Sequence, residues 1–239
     1  MLDNNKIKLS IVISVYSETF SLVETVDRLI TNDRDYIYEI ILVVSPMSSQ
    51  KCMDICNSLM KNNNFLKIHI QKNNPGLGWA LREGMELCGG SHIAMMSSDL
   101  ETEPEAIDRM VKKIEETDCD LVVGNRWLNG GGFQDYDYIK LILNYLFQSI
   151  FKLIYNTKIG DITYGFKIIS KELESKINWQ SSLHEICIET TIKPLINNAT
   201  IEQVPTIWIG RQEGYSKNSF MKNFRYLSLG LKVRIGLTK

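Results

Sequence analysis

Short apolar runs alternate with amphipathic segments through the first half of this chain, and no other feature limits its fold so strongly. The apolar runs predict strands, and the segments between them repeat apolar residues at the three- and four-residue spacing of helices. Strands that alternate with helices of about ten or more residues form βαβ units, so we predict an α/β fold with a mostly parallel sheet. The predicted strands are residues 9–15, 39–44, 66–71, 92–95 and 121–123, and the predicted helices are residues 20–31, 50–61, 77–88 and 105–116.

The alternation ends near residue 129. Gly130, Gly131 and Gly132 form a flexible connection, and the predicted helix over residues 138–155 is apolar almost all round. Such a helix is typically buried or lies at an interface. No stretch is rich enough in linker residues to divide the chain. We therefore expect one domain over residues 1–218, followed by a basic amphipathic segment over residues 219–239.

Charge and cysteine content exclude several classes of protein. The net charge of −1 over 239 residues gives no reason to expect nucleic acid as a partner. The five cysteines form no CxxC pair of the zinc-binding kind, so we expect core thiols in a reducing cytoplasm. No secretory signal is recognisable, and no apolar run reaches the roughly 18 residues that a membrane span requires. The expected location is cytoplasmic, with peripheral contact at the inner membrane face left open.

Polar residues follow each of the five predicted strands. In a parallel sheet, ligands bind beyond the carboxyl ends of the strands, and that is where these residues would meet. Five strand ends that carry polar groups to one edge therefore favour a binding site there. The residues are Tyr16, Ser17 and Glu18, then Ser45 and Pro46, residues 74–78, Asp99 and Glu101, and finally Asn125 and Arg126.

Two carboxylates follow the fourth predicted strand. Because successive strand residues point to opposite sides, Asp99 and Glu101 are expected on one face together with Ser97. Oxygen ligands of this kind suit Mg²⁺ or Mn²⁺, which take further ligands from water and from a substrate diphosphate. The alternative is an acidic strand end that leads into a helix, because acids beside Pro104 are also an ordinary first-turn pattern.

Six segments, taken in order, resemble those of a known family. They are residues 14–18, residues 74–80 (Asn-Pro-Gly-Leu-Gly-Trp-Ala), residues 97–99 (Ser-Ser-Asp), residues 123–126 (Val-Gly-Asn-Arg), residues 161–167 (Asp-Ile-Thr-Tyr-Gly-Phe-Lys), and a last group formed by Val204, Pro205, Arg211, Gly214, Ser216 and Lys217. In this order they resemble the family 2 glycosyltransferases, in particular the dolichol-phosphate mannosyltransferase-like or polyprenyl-phosphate sugar transferases. The resemblance covers residues 7–218.

This resemblance implies a GT-A-type, Rossmann-like fold with helices on both faces of the sheet, and inverting transfer of a sugar from a nucleotide-sugar donor. It implies that Asp99 and Glu101 hold Mg²⁺ or Mn²⁺, where the charge of a diphosphate leaving group is neutralised. Asp161, Glu185 or Glu189 would act as the base or orient the sugar, and the alternative for each is an ordinary solvated or helix-capping carboxylate. The donor-binding residues would be Val15, Tyr16, Glu18, Ser45, Gly76, Gly78, Ser98, Arg126, Arg211 and Lys217, and the alternative for Arg126 is a surface salt bridge.

Three segments depart from the family pattern. Val44 and Ser45 stand where relatives carry a paired aspartate, one carboxylate of which holds the nucleotide, and Ser97 replaces the first aspartate of the metal motif. Lys167 replaces an arginine and lacks its bidentate fork. Val44, Ser45 and Ser97 leave open a second hypothesis, a non-catalytic relative that binds a nucleotide sugar or a partner enzyme without turnover. A sugar nucleotidyltransferase is disfavoured, because residues 14–21 contain neither the glycine nor the lysine of a phosphate loop.

The C-terminal segment bears on the acceptor. From residue 214 onward the chain has no acidic residue, and apolar residues recur at helical spacing. A basic amphipathic helix can lie in a membrane interface or bind a lipid phosphate. We therefore favour a polyprenyl phosphate acceptor over a saccharide hydroxyl, which would need a base. The alternative is that this helix packs on the domain or on a second subunit. The apolar residues are Phe220, Phe224, Leu227 and Leu231, and the basic ones are Lys217, Lys222, Arg225, Lys232, Arg234 and Lys239.

Overall fold

Each element predicted for the first half of the chain is present in the computed structural model, which describes residues 6–31, 34–73, 76–213 and 223–237. The predicted and observed ends agree within two residues. The helices bury one face and so carry a helical period, and the central strands are short apolar runs buried on both faces. The elements are β1 (Leu9–Val15), α1 (Phe20–Ile30), β2 (Ile37–Val44), α2 (Gln50–Asn62), β3 (Leu66–Ile70), α3 (Leu77–Leu87), β4 (His92–Ser97), α4 (Ala106–Thr117) and β5 (Leu121–Asn125).

The second half is built from shorter strands and from helices of very unequal length. The predicted helix over residues 138–155 is observed with the same bounds. The elements are β6 (Gly132–Gln134), α5 (Tyr138–Tyr155), β7 (Lys167–Ser170), α6 (Lys171–Lys176), α7 (Ile186–Ile196), β8 (Ile201–Pro205), β9 (Ile207–Ile209) and α8 (Asn223–Arg234).

Seven strands form one sheet in the order β3-β2-β1-β4-β7-β5-β8, and β6 pairs separately with β9. All neighbours in the large sheet are parallel except β7, which runs antiparallel between β4 and β5. This confirms the predicted α/β class and the mostly parallel sheet. The carboxyl ends of β1, β2, β4 and β5 therefore lie along one edge.

The core consists of one apolar layer on each face of the sheet. Along β1, Ile11 and Ile13 belong to one layer and Val12 to the other, as the alternation of strand side chains requires. Helices α1, α2 and α4 cover the first layer, and α3, α5, α7 and α8 cover the second. Helices on both faces are thus confirmed. The core thiols are confirmed as well, because all five cysteines are buried and free.

Helix α5 lies on the surface and is buried along one side only. Its buried residues are Gln148, Phe151 and Tyr155. Helix α8 packs beside it, where the Tyr155 hydroxyl donates a hydrogen bond to the Gly230 carbonyl at 2.6 Å. A Cβ at Gly230 would lie 2.2 Å from the Phe151 ring, so glycine permits this close approach. Among the described residues, no helix is both long and apolar enough to cross a bilayer.

Candidate functional site

The two predicted metal ligands meet in a turn beyond β4. The strand ends at Ser97, so strand alternation does not bring Asp99 and Glu101 together, and that part of the sequence reasoning is wrong. The chain reverses at Leu100, whose φ of 58° lies in the left-handed region. Both carboxylates contact the guanidinium of Arg211, and the Ser97 hydroxyl donates a hydrogen bond to Asp99. A cation therefore does lie between the two carboxylates, but it is an arginine.

Strand β9 and the residues that follow it cover this acidic turn. Arg211 Nη2 lies 2.5 Å from Asp99 Oδ2, and its Nε lies 2.9 Å from Glu101 Oε1. The indole Nε1 of Trp208 donates to Glu101 Oε2 at 3.3 Å, and the backbone N–H of Ile209 donates to the Glu101 carbonyl at 3.1 Å. Arg211, predicted to bind donor phosphate, is thus held by carboxylates in the structure.

The acidic turn carries more negative charge than Arg211 neutralises. Burial, together with the charge of Asp99, raises the pKa of Glu101 above its usual value in spite of the nearby guanidinium. A divalent cation would relieve this crowding, and the oxygens of Asp99, Glu101 and Ser97 are the hard ligands that Mg²⁺ and Mn²⁺ prefer. The described residues contain no cluster of three or more His, Cys, Asp or Glu side chains able to hold a metal. The donor set therefore fits a cation that is completed by a diphosphate and water, provided that Arg211 moves.

Glu213 connects the same segment to the start of α1. Its carboxylate accepts hydrogen bonds from the backbone N–H groups of Thr19 and Ser21, at 2.9 and 3.0 Å, and from both hydroxyls. Burial raises the pKa of Glu213, but these hydrogen bonds outweigh it and hold the pKa below its ordinary value. Sequence reasoning missed this contact. The signal was present, because the first turn of α1 contains no acidic residue of its own.

A buried ion pair lies where β5 ends. Arg126 Nε and Nη2 donate to the two oxygens of Asp161 at 2.6 and 2.9 Å, and Gln148 of α5 donates to Asp161 Oδ1 at 3.0 Å. The guanidinium also lies over the rings of Tyr164 and Phe133. Burial lowers the pKa of Arg126, but the charge and hydrogen bonds of Asp161 outweigh it and raise the pKa. The alternative of a salt bridge for Arg126 is closest to what the structure shows, although the pair is buried rather than on the surface.

Of the two carboxylates predicted on α7, one is fully engaged and the other is not. Glu189 is buried against Lys193 at 2.7 Å and accepts the backbone N–H groups of Gln180 and Ser181 at 2.9 and 2.8 Å. These contacts explain why Glu189 is buried, and its predicted role as a base stays a prediction. Glu185 is half-buried at the N-terminal end of α7, with no hydrogen bond or ion pair from its side chain to the described residues.

The predicted glycine turn packs against the loop that Glu189 holds. Gly76 has a φ of 139°, and a Cβ there would lie 2.0 Å from the Ser182 carbonyl oxygen. A Cβ at Gly78 would lie 2.3 Å from the Ser181 carbonyl oxygen. Packing therefore explains both glycines. Their predicted contact with the donor stays a prediction.

The predicted donor-binding residues after β1 and β2 shape their own loops. The Glu18 carboxylate accepts hydrogen bonds from the backbone N–H groups of Tyr16 and Ser17 at 2.8 and 3.0 Å. The backbone N–H of Ser45 donates to the Val15 carbonyl at 2.9 Å, which joins the two strand ends. These hydrogen bonds hold the loops at the carboxyl ends of β1 and β2 in place. Contact of these residues with a donor stays a prediction.

The remaining predicted donor-binding residues are two serines and a lysine. The Ser45 hydroxyl accepts a hydrogen bond from the Met47 backbone N–H at 3.2 Å, and the Ser98 hydroxyl donates to the Ser14 carbonyl at 3.0 Å. Both hydroxyls therefore brace the loops in this structure. Lys217 lies outside the described residues.

A row of aromatic rings connects the acidic turn with α5, and sequence reasoning missed it. Neighbouring ring centroids lie 4.7 to 5.5 Å apart. Trp208, at one end, contacts Glu101, and the ring at the other end belongs to α5. The aromatic residues crowded around the glycine run at 130–132 were the available signal. The row consists of Trp208, Tyr136, Phe133, Trp127 and Tyr145.

Two buried polar atoms beside this row lack a hydrogen-bond partner among the described residues. They are the indole Nε1 of Trp127 and the hydroxyl of Thr206. An unsatisfied buried donor costs free energy, and native structures usually satisfy such groups with a ligand or water.

Comparison with known proteins identifies the family. Residues 10–177 match the family model described as glycosyl transferase family 2, which is more than half of the chain. The chain belongs to glycosyl transferase family 2. The resemblance stated from the sequence motifs is thereby confirmed.

Individual members of family 2 match this chain at low identity. It is 26% identical over 184 residues to the glycosyltransferase GlyG of Streptococcus pneumoniae, covering 72% of this chain and 60% of GlyG. It is 22% identical over 223 residues to the dodecaprenyl-phosphate galacturonate synthase of Rhizobium johnstonii, covering 92% of this chain and 64% of that synthase. It is 25% identical over 147 residues to the polyprenol monophosphomannose synthase of Mycolicibacterium smegmatis, covering 60% of this chain and 53% of that synthase. The chain thus spans less than two thirds of the length of these relatives.

Solved structures of the same fold include a glucosyl-3-phosphoglycerate synthase from Mycobacterium tuberculosis. Its complex with Mn²⁺, uridine diphosphate and phosphoglyceric acid matches with a TM-score of 0.70 at 16% identity, covering 96% of this chain and 79% of that one. Its complex with Mg²⁺ and uridine diphosphate matches with a TM-score of 0.69. These matches confirm the GT-A-type fold predicted for this family 2 chain.

Proposed function

We propose that this protein is an inverting glycosyltransferase that moves a sugar from a nucleotide-sugar donor to a polyprenyl phosphate, with Mg²⁺ or Mn²⁺ as cofactor. The observation that carries the proposal is that Asp99 and Glu101 converge on one positively charged group, the Arg211 guanidinium, beyond the carboxyl end of β4. Family membership and the metal and nucleotide complexes named for the structural neighbour support the same reading.

The reaction is a displacement at the anomeric carbon of the sugar. An acceptor oxygen forms a bond to that carbon on one side while the bond to the diphosphate oxygen breaks on the other, and the configuration inverts. A divalent ion at Asp99 and Glu101 would supply positive charge to the departing diphosphate. Arg211, once it leaves the carboxylates, has the planar fork that matches phosphate oxygens.

A phosphate acceptor fits this site because two of the three carboxylates predicted as bases are already paired with cations. Asp161 is paired with Arg126, and Glu189 is paired with Lys193, so both charges are already engaged inside the fold. Only Glu185, of the three predicted bases, keeps a carboxylate without such a partner among the described residues. A hydroxyl acceptor must lose a proton to a base, whereas a phosphate is ionised at neutral pH and can attack directly. The names of two relatives, a dodecaprenyl-phosphate galacturonate synthase and a polyprenol monophosphomannose synthase, point the same way.

The test is donor binding by thermal shift against UDP-, GDP-, dTDP- and CMP-sugars, each with and without Mn²⁺ or Mg²⁺. A ligand at about a hundred times its Kd adds about 2.7 kcal/mol to the free energy of unfolding, which is readily measured. We expect a metal-dependent shift with one nucleotide class and its loss in Asp99→Asn. Asp54→Asn on the exposed side of α2 is the matched control and should keep the shift. An unchanged shift in Asp99→Asn would remove this residue from the metal site.

The second candidate function is a relative that binds without turnover. It is favoured by Arg211, which fills the cation position, and by the neutral Ser97 and Ser45. Donor binding without transfer to a short polyprenyl phosphate or to a saccharide would select this second function. Transfer of labelled sugar to a polyprenyl phosphate in the presence of metal would select the first.

A further inference from the structure

Helix α5 exposes an apolar face that runs along its length. Ile139, Ile142, Leu146, Ile150 and Leu153 recur at intervals of three and four residues, so they form one stripe, which we call the outer face of α5. Ile139 is 67% exposed and Leu153 is 84% exposed. The surfaces of monomeric soluble proteins rarely carry so continuous an apolar stripe, and such a stripe usually marks a binding surface.

The two helices at this face carry only basic charged residues, and Asp137 caps the N-terminal end of α5. Helix α8 lies directly beside α5, where Arg234 Nε donates to the Ile154 carbonyl at 3.0 Å, and its own Leu231 is exposed. Neither helix contains an acidic residue. The basic residues of the two helices are Lys140, Lys152, Arg225, Lys232 and Arg234.

We propose that the outer face of α5, together with α8, docks on the surface of an anionic lipid bilayer. An apolar stripe flanked by basic side chains matches a bilayer chemically, because the stripe enters the acyl boundary and the cations meet anionic headgroups. A second copy of the chain is a poorer match, since it would bring two sets of like charges together. This inference rests on the proposed function and deepens it by naming the surface through which a lipid acceptor is reached.

The opposite side of α5 already belongs to the site. Gln148 donates to Asp161, and Tyr145 contacts Trp127 with ring centroids 5.5 Å apart. The aromatic row then continues to Trp208 at the acidic turn. An α-helix with its side chains is about 10 Å across, so the bilayer and the site would lie on two sides of a single helix. Tyrosine and tryptophan are also the side chains that favour the boundary between headgroups and water.

The test is flotation of the full chain with vesicles of phosphatidylcholine alone and of phosphatidylcholine with phosphatidylglycerol. We expect binding to the anionic vesicles, weakened by high salt. Leu146→Glu should lower the partition coefficient at least tenfold, equivalent to about 1.4 kcal/mol. Leu87→Glu is the matched control and should bind like wild type, because Leu87 is 49% exposed and Leu146 is 51% exposed.

Three results would overturn the docking proposal. They are no flotation of the wild type, equal binding by the two variants, and a dimer in light scattering that Leu146→Glu dissociates without any vesicle binding. The last result would assign the face to a second copy. Donor binding by thermal shift is measured on the same samples and does not depend on vesicles. If no nucleotide sugar shifts the thermal unfolding midpoint, the proposed function is contradicted. If a nucleotide sugar shifts it but the protein does not float with vesicles, only the docking surface is contradicted.

Discussion

Replacing Arg211 by methionine should improve metal binding while it weakens the fold. Arg211 holds Asp99 and Glu101 through contacts of 2.5 and 2.9 Å. Hydrogen bonds between charged groups contribute about 1.5–3 kcal/mol, and a metal that uses the same carboxylates has to break them. Without this competitor, the Mn²⁺ affinity in the absence of nucleotide should rise roughly tenfold to a hundredfold.

The same substitution should have opposite effects on stability and on nucleotide binding. Two crowded carboxylates are left without their cation, so the free energy of unfolding should fall by about 2 kcal/mol, less than for a fully buried pair. Added Mn²⁺ should restore much of this loss by mass action. Nucleotide binding should weaken, because the guanidinium that meets the diphosphate is gone.

The assay is a Mn²⁺ titration followed by the electron paramagnetic resonance signal of the free ion, with urea unfolding at matched Mn²⁺ concentrations. Arg28→Met is the control, because Arg28 makes a comparable two-point pair with Glu105, at 2.7 and 2.5 Å, away from the acidic turn. It should lose stability without changing Mn²⁺ affinity. Equal or weaker Mn²⁺ binding by Arg211→Met would refute the competition between guanidinium and metal.

Two further predictions concern groups whose pKa the fold displaces. Burial lowers the pKa of Lys167 to about 8 from 10.5, so the unfolded chain binds more protons between these values. The free energy of unfolding of the wild type should therefore rise relative to that of Lys167→Met between about pH 8 and about pH 10.5, by up to about 1.4 kcal/mol per pH unit. Urea unfolding that gives the two proteins the same pH dependence would contradict this. Glu213→Gln should cost about 1 kcal/mol at neutral pH through the lost cap on α1, and the gap to wild type should close as the pH falls below 4.5. A gap that persists in acid by thermal unfolding would assign the effect to packing instead.

The regular elements of the first half could be predicted because their signals are local. Each helix buries one face and shows the helical period, and each central strand is a short apolar run buried on both faces, so a few consecutive residues are enough to identify it. The polar residues that follow the strands could be placed at one edge of the sheet because the carboxyl ends of parallel strands lie together. Helix α5 shows the limit of this reasoning, because its apolar composition predicted a buried or interface helix without indicating which side packs. Only the fold shows that Gln148 points inward while Leu146 remains exposed.

The contacts inside the site could not be predicted because they join distant parts of the chain. Asp99 and Arg211 are separated by 112 residues, and Thr19 and Glu213 by 194. No local period encodes such a pairing. Asp161 looked available as a base because its partner, Arg126, comes from another strand end. Asp99 and Glu101 were expected to converge through strand alternation, whereas they do so through a turn that only tertiary structure determines.

A crystal structure of the protein with Mn²⁺ and UDP, or with the nucleotide that the thermal-shift panel selects, would show directly whether Asp99 and Glu101 hold a metal. We predict anomalous density for Mn²⁺ between Asp99 and Glu101, a diphosphate that completes the metal's ligands, and Arg211 moved from the carboxylates to phosphate oxygens. A nucleotide bound elsewhere, with Arg211 still paired to both carboxylates, would contradict this prediction.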